Sequence, residues 1–161
     1  MADPIAGWRS LTDCLAPGGL MRVGLYSDLS RRDIVKIKRQ INQQAIRPDH
    51  QSMRDFRLNL IAVGGSQFLG VFQSHDFFSL SGLRDLLFHE KEHRFSIPQI
   101  QSSMSTLGLS FCGFEMGDIR EAFASAFPDP RERYDLGKWA SFEAENPDAF
   151  AGMYQFWCQK I

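Results

Sequence analysis

The chain has 161 residues, 43% of them apolar and 23% charged, and a net charge of −1. That is enough for one domain with a real core. Lys and Arg are dispersed, which argues against a nucleic-acid or membrane-surface protein, since those need a concentrated positive field.

Three cysteines, Cys14, Cys112 and Cys158, are widely spaced and odd in number, and each falls in an apolar stretch. Buried free thiols in a reducing compartment are expected. No signal-peptide pattern opens the chain and no apolar run reaches the length of a membrane span, so a cytoplasmic protein with no membrane partner is expected. Fourteen phenylalanines predict an aromatic core.

Asp3 and Pro4 are N-cap and first-turn residues, so a helix is predicted from about Pro4 to Leu15, with Ile5, Trp8, Leu11 and Leu15 on its apolar face. Ala16-Pro17-Gly18-Gly19 stops it. Leu20–Tyr26 then reads as a strand buried on both faces, as in a parallel sheet. Asp28 or Ser30 is placed to cap a second helix carrying Ile34, Ile37 and Ile41. Asp49 caps a third, with Met53, Phe56 and Leu60 inward, ending at Gly64-Gly65. Residues 67–75 have no clean period; the alternatives are a loop folding over a pocket and a turn pinned by core phenylalanines. A fourth helix, from about Ser81 to His89, buries Leu83, Leu86 and Leu87.

Ser96 and Gln99 form a capping box with Pro98 in the first turn, and that helix stops at Gly108. Leu109–Glu115 is a second strand. Asp118 caps a helix over Ile119, Ala122, Phe123 and Ala126; another carries Leu136, Trp139 and Phe142. Met153–Gln159 is the last of three expected strands. Residues 1–161 read as a single domain, with a helical insertion over 28–79.

Two stretches carry a family resemblance. Asp3-Pro4, a helix, Leu15-Ala16-Pro17-Gly18-Gly19-Leu20 and then a strand resembles the segment leading into the fifth strand of class I S-adenosylmethionine-dependent methyltransferases. His93-Arg94-Phe95-Ser96-Ile97-Pro98-Gln99-Ile100 through Gly108 resembles the junction and helix before their sixth strand. Arg84–His89, Glu92–Phe95 and Gly152–Trp157 resemble the C-terminal end of bacterial methyltransferases that carry tetratricopeptide repeats upstream. The resemblance implies an α/β fold: a partial Rossmann-like sheet holding equivalents of strands 5 and 6 and of an antiparallel strand 7 inserted between them. The 28–79 insertion would be a lid. It also implies S-adenosylmethionine as cofactor and a small-molecule or protein methyl acceptor. The chain has no Gly-rich loop after a strand, which the cofactor's close backbone approach requires. The expectation is the substrate-side half of such an enzyme, binding the cofactor poorly alone. Its open sheet edge would be covered by an upstream cofactor-binding half or by a second copy of the chain.

Ligands of open α/β sheets sit at the carboxyl ends of the strands. Tyr26 and Ser27 end the first strand there, Tyr26 to bond a substrate or take a proton and Ser27 to bind substrate. His75 and Asp76, at the end of the expected lid, and Arg94, a carboxylate partner, are candidate substrate contacts. Methyl transfer needs alignment and at most one general base; His89 and His93 are candidates. Arg84 and Asp85 read as a solvated face. Two other readings stand beside this one. His89-Glu90-Lys91-Glu92-His93 matches the H-E-x-x-H zinc-hydrolase pattern, with Glu115 as a possible third ligand; charged middle residues and the helix start at Ser96 count against it, and no metal site is assigned. The other is a non-catalytic module that docks a partner on its sheet edge.

Overall fold

The structure, a computed structural model, describes residues 3–89, 92–115 and 117–161. The chain divides into two compact units: residues up to Ser30 with His93–Ile161, and Arg31–Glu92.

The first unit is a layer of helices on one face of a mixed sheet. Helix α1 (Pro4–Asp13) opens on Asp3, whose carboxylate accepts from the Ile5 and Ala6 N–H groups. It buries Trp8 and Thr12, while Leu11, expected inward, is exposed. The turn that follows needs its glycines. Gly18 has φ +77°, and a Cβ on Gly19 would stand 2.8 Å from the Ala16 carbonyl oxygen.

Among the described residues four strands form the sheet: β1 (Leu20–Ser27), β2 (Arg94–Phe95), β3 (Leu109–Phe114) and β4 (Met153–Lys160), in the order β2-β1-β4-β3. β2 runs parallel to β1, and β4 runs antiparallel to both β1 and β3. The last strand therefore sits between two strands of common direction. A β-bulge at Phe111/Gly113 interrupts the β3–β4 ladder. Three strands were expected. β2 escapes the sequence because two residues carry no periodicity; it lies inside the Ser96 capping junction.

Pleating sorts the side chains. Met21, Val23 and Leu25 of β1 lie opposite Cys158, Phe156 and Tyr154 of β4. They pack against the core that α1 shares with α6 (Ile97–Leu107), α7 (Gly117–Ala126) and α8 (Leu136–Glu145). Trp139 stacks on Phe123 with ring centroids 3.7 Å apart. The alternate residues Leu20, Arg22, Gly24 and Tyr26 face Gln159, Trp157, Gln155 and Met153 on the other side. That second face is not buried: Leu20 is 56% and Trp157 39% exposed. β1 is thus covered on one face, not on both as its apolar run suggested. Arg22 joins Glu115 and Gln155 across the open face. The thiols differ likewise. Cys158 is fully buried, and burial pushes it up to about 11, whereas Cys14 is exposed and Cys112 half-buried.

The second unit is helical. Helix α2 (Arg32–Gln43) buries Ile34, Ile37 and Ile41; α3 (His50–Gly64), capped by Asp49, buries Met53, Phe56 and Leu60. Residues 65–77 form a 3₁₀ turn (Gly65–Phe68), a short helix α4 (Leu69–Phe72) and a second 3₁₀ turn (His75–Phe77). Phe68, Val71 and Phe77 are buried there, so this segment is the turn pinned by core phenylalanines. Helix α5 (Leu80–Leu83) continues as a π-helical turn, Arg84–Phe88. Its leucines enter the same core, which is why the unit reaches past residue 79 to Glu92. Gly82 lies against the Asp76 carbonyl, where a Cβ would stand 2.6 Å away.

The β1 ladder gives a direct test. The Ser27 N–H donates to the Gly152 carbonyl and the Gly19 carbonyl accepts from Lys160, so odd-numbered residues point their backbone groups at β4. Leu20, Arg22 and Gly24 point theirs outward, and among the described residues β2 covers that edge only at Tyr26 and Ser27. Amide exchange followed by NMR should alternate, fast at Arg22 and Gly24 and slow at Val23 and Leu25; uniform protection would refute the open edge. A second test uses the tryptophans. Among the described residues Trp8 Nε1 is buried without a hydrogen-bond partner, whereas Trp139 Nε1 donates to the Arg133 carbonyl at 2.9 Å. Trp8→Phe should cost about 1 kcal/mol or less, and Trp139→Phe about 1–3 kcal/mol, in urea unfolding.

Candidate functional site

The carboxyl end of β1 is held by one buried carboxylate. Glu143 lies on the inward face of α8, about two turns after Leu136 and one after Trp139, and is only 5% exposed. Its Oε1 accepts from Ser27 Oγ at 2.8 Å and from the Tyr154 hydroxyl at 2.7 Å; Oε2 stands 2.9 Å from the same hydroxyl. Ser27 Oγ in turn accepts from the Ser30 N–H at 3.1 Å, and Ser30 Oγ donates to the Pro147 carbonyl at 2.9 Å. The turn after β1 is therefore tied both to the sheet and to the segment following α8.

Burial pushes the Glu143 carboxyl above its usual range. The Tyr154 and Ser27 hydroxyls oppose this by bonding the charged form, and the nearby Asp28 charge adds to the rise. Burial is also the first reason that Tyr154 is raised far above an ordinary phenol. Together the two groups fix the turn.

Around this anchor stand the groups that can reach a ligand. Asp28 projects a carboxylate that is 64% exposed, and Arg94, 28% exposed, donates from Nε to its Oδ1 at 3.2 Å. The Asp28 N–H donates to the Phe95 carbonyl at 2.9 Å, which registers β2 beside β1. Tyr26 is half-buried opposite Arg94, and His93 is exposed just before it. The result is a rim with an anion, a cation and a phenol side by side, suited to bind and orient a polar ligand. A shallow cleft lies at the other end of the sheet, lined by Gln101, Met104, Phe111, Tyr134 and Ile161, with Arg131 already held by Asp129.

The residues expected from sequence fall into two sets. Tyr26, Ser27, His93 and Arg94 come together at this end of the first unit. Ser27 is fully buried and its hydroxyl points inward, so it supports the turn instead of facing a substrate. His75, Asp76 and His89 belong to the second unit, where His75 and Asp76 are exposed on a 3₁₀ turn. His89 leaves the π turn with extended backbone, φ −73° and ψ 124°. The helical backbone on which the H-E-x-x-H zinc pattern depends is therefore not present at His89. Glu90 lies outside the described residues, Glu92 is paired with Arg31, and Glu115 with Arg22. Among the described residues no group of three or more His, Cys, Asp or Glu is placed to hold a metal ion. Arg84, read as solvated, donates to the Pro48 carbonyl.

Asp28, Glu143 and Tyr154 were missed. Asp28 and Ser30 looked like caps of α2, but the helix begins at Arg32 without a side-chain cap. For Glu143 a signal existed: an acid in the apolar register of Leu136 and Trp139. For Tyr154 it was the alternation of Tyr154, Phe156 and Cys158 with polar neighbours.

No protein-family model matches the chain, and no curated protein matches it. Among the described residues no helix is long and apolar enough to cross a membrane.

The raised Glu143 carboxyl sets the sign of a pH effect. A carboxyl whose folded value lies above its unfolded value stabilises the fold below the unfolded value, and that contribution is lost as pH rises through the folded one. Glu143→Gln should therefore gain stability relative to wild type as pH rises from the acid range to neutrality, in paired urea denaturations. A difference that is flat or falls with pH would refute the assignment.

Proposed function

We propose that this chain is the substrate-side portion of a class I S-adenosylmethionine-dependent methyltransferase with a Rossmann-like sheet. The observation that carries the reading is the strand arrangement. β1 and β3 run in one direction, α1 precedes the first and α6 the second, and β4 enters antiparallel between them. This is the arrangement of fifth, seventh and sixth strands that the sequence resemblance implied. The polar rim at the carboxyl end of β1 supports it further, since that is where open α/β sheets place their ligands.

The cofactor would supply an activated methyl group on a sulfonium. The protein's part is then alignment. Asp28, Arg94 and Tyr26 would bind and orient the acceptor, the buried Glu143 would hold Tyr26–Ser30 in place, and His93 would accept a proton where the acceptor carries one. The open edge at Leu20–Leu25 would be paired by the cofactor-binding half, which alone carries a Gly-rich loop. A second reading, a non-catalytic module that docks a partner strand, draws on the same open edge and gives the rim no role.

Titration with S-adenosylmethionine separates the two. Calorimetry on this chain alone should detect no saturable binding, while NMR at high cofactor concentration should shift the amides of Tyr26, Asp28 and Arg94 before those of the distal cleft. Tight one-to-one binding would overturn the half-site reading. Absence of any shift at the rim would favour the docking module.

A further inference from the structure

The second unit contains a buried charge cluster that the proposed reaction does not use. Arg31 Nε donates to Glu92 Oε1 at 2.7 Å and its Nη2 donates to Oε2 at 2.8 Å, a two-pronged pair. Lys38 Nζ donates to Glu92 Oε2 at 3.1 Å and to the His89 carbonyl at 3.2 Å. The side chains of Arg31, Glu92 and Lys38 are 10%, 6% and 16% exposed. Burial works to raise the Glu92 carboxyl, but the two cations outweigh it and hold the group below its ordinary range.

The position of this cluster is informative. Arg31 and Glu92 are the first and last residues of the unit, so one ion pair joins the points where the chain enters and leaves it. Between them in sequence lies a core of Ile34, Ile37, Met53, Phe56, Phe77, Leu83 and their neighbours that, among the described residues, shares no buried residue with the core of the sheet unit. Within the sheet unit, Ser27 of β1 is in register with Phe95 of β2. Each unit thus has its own apolar core.

We propose that the Arg31–Glu92–Lys38 cluster is a clasp that closes residues 31–92 as one cooperative body, which opens and recloses while the sheet stays folded. Removing the carboxylate takes from Arg31 and Lys38 the acceptor they share, and breaking one partner out of a largely buried ion pair is strongly destabilising. Opening of separate cooperative units is what native-state exchange resolves. The inference does not rest on the methyltransferase reading.

The test is native-state hydrogen exchange on the whole chain, comparing wild type with Glu92→Gln, Lys38→Met and, in the sheet, Val23→Ala. Glu92→Gln should speed the slowest amides of α2 and α3 by roughly 10- to 100-fold and leave those of β4 and α6 unchanged, with Lys38→Met acting in the same direction but more weakly. Val23→Ala should do the reverse, speeding β4 and leaving α2 and α3 as they were. Equal acceleration of both sets by Glu92→Gln, loss of the sheet in that variant, or no change in α2 and α3 would each overturn the proposal.

Discussion

The first unit depends on a single strand. β1 and β3 have no ladder in common; each is joined to the sheet by β4, which pairs with both. β4 also supplies Tyr154, Phe156 and Cys158 to the centre of the core, all fully buried. Its far end ties off the first turn, where Gly18 donates to the Lys160 carbonyl and Lys160 Nζ donates to the Thr12 and Leu15 carbonyls. The β1–β4 ladder joins residues at nearly opposite ends of the sequence. Such long-range pairing costs loop-closure entropy early in folding. Both ladders of β4 wait for the last of the strands to be made.

The same strand explains how the two polar systems of the sheet divide. Pleating sends Tyr154 inward, where its hydroxyl meets Glu143, and sends Gln155 outward, where it meets Arg22. Inside, a carboxylate is tolerated because two hydroxyls satisfy it. Outside, Arg22 and Glu115 remain in contact with water, a setting in which an ion pair adds little. The buried network therefore governs the shape of the β1 turn, and the exposed one decorates a face left open.

Much of the architecture was legible in the sequence. Caps were the surest guide: Asp3, Asp49 and the Ser96–Gln99 box begin helices where expected, and Gly108 ends one with φ +66°. Their geometry is local, so a few residues fix it. The insertion's core followed from Ile34, Ile37 and Ile41 at helical spacing. What failed was non-local. An apolar run such as Leu20–Tyr26 says that a strand is wanted, but not whether a second layer exists to cover its other face. β2 owes its existence to a neighbour, not to its own two residues. At the carboxyl end of β1, Tyr26 and Arg94 were expected from their position along strands and junctions, while Glu143 reaches Ser27 from a helix more than a hundred residues away and can be recognised only by its misfit among apolar neighbours.

The three tryptophans are divided in the same way as the two faces. Trp8 and Trp139 lie in the core, edge-on to Phe156 and stacked on Phe123, while Trp157 stands on the open face opposite Arg22, with 39% of its surface in water. The molecule therefore has a built-in optical reporter. Trp157 emits from a wet environment and is within reach of a dissolved quencher such as iodide, whereas its two companions emit from a dry one. Any layer that settles on the open face has to dry Trp157 first, so a blue shift and loss of quenching would register its arrival without a label.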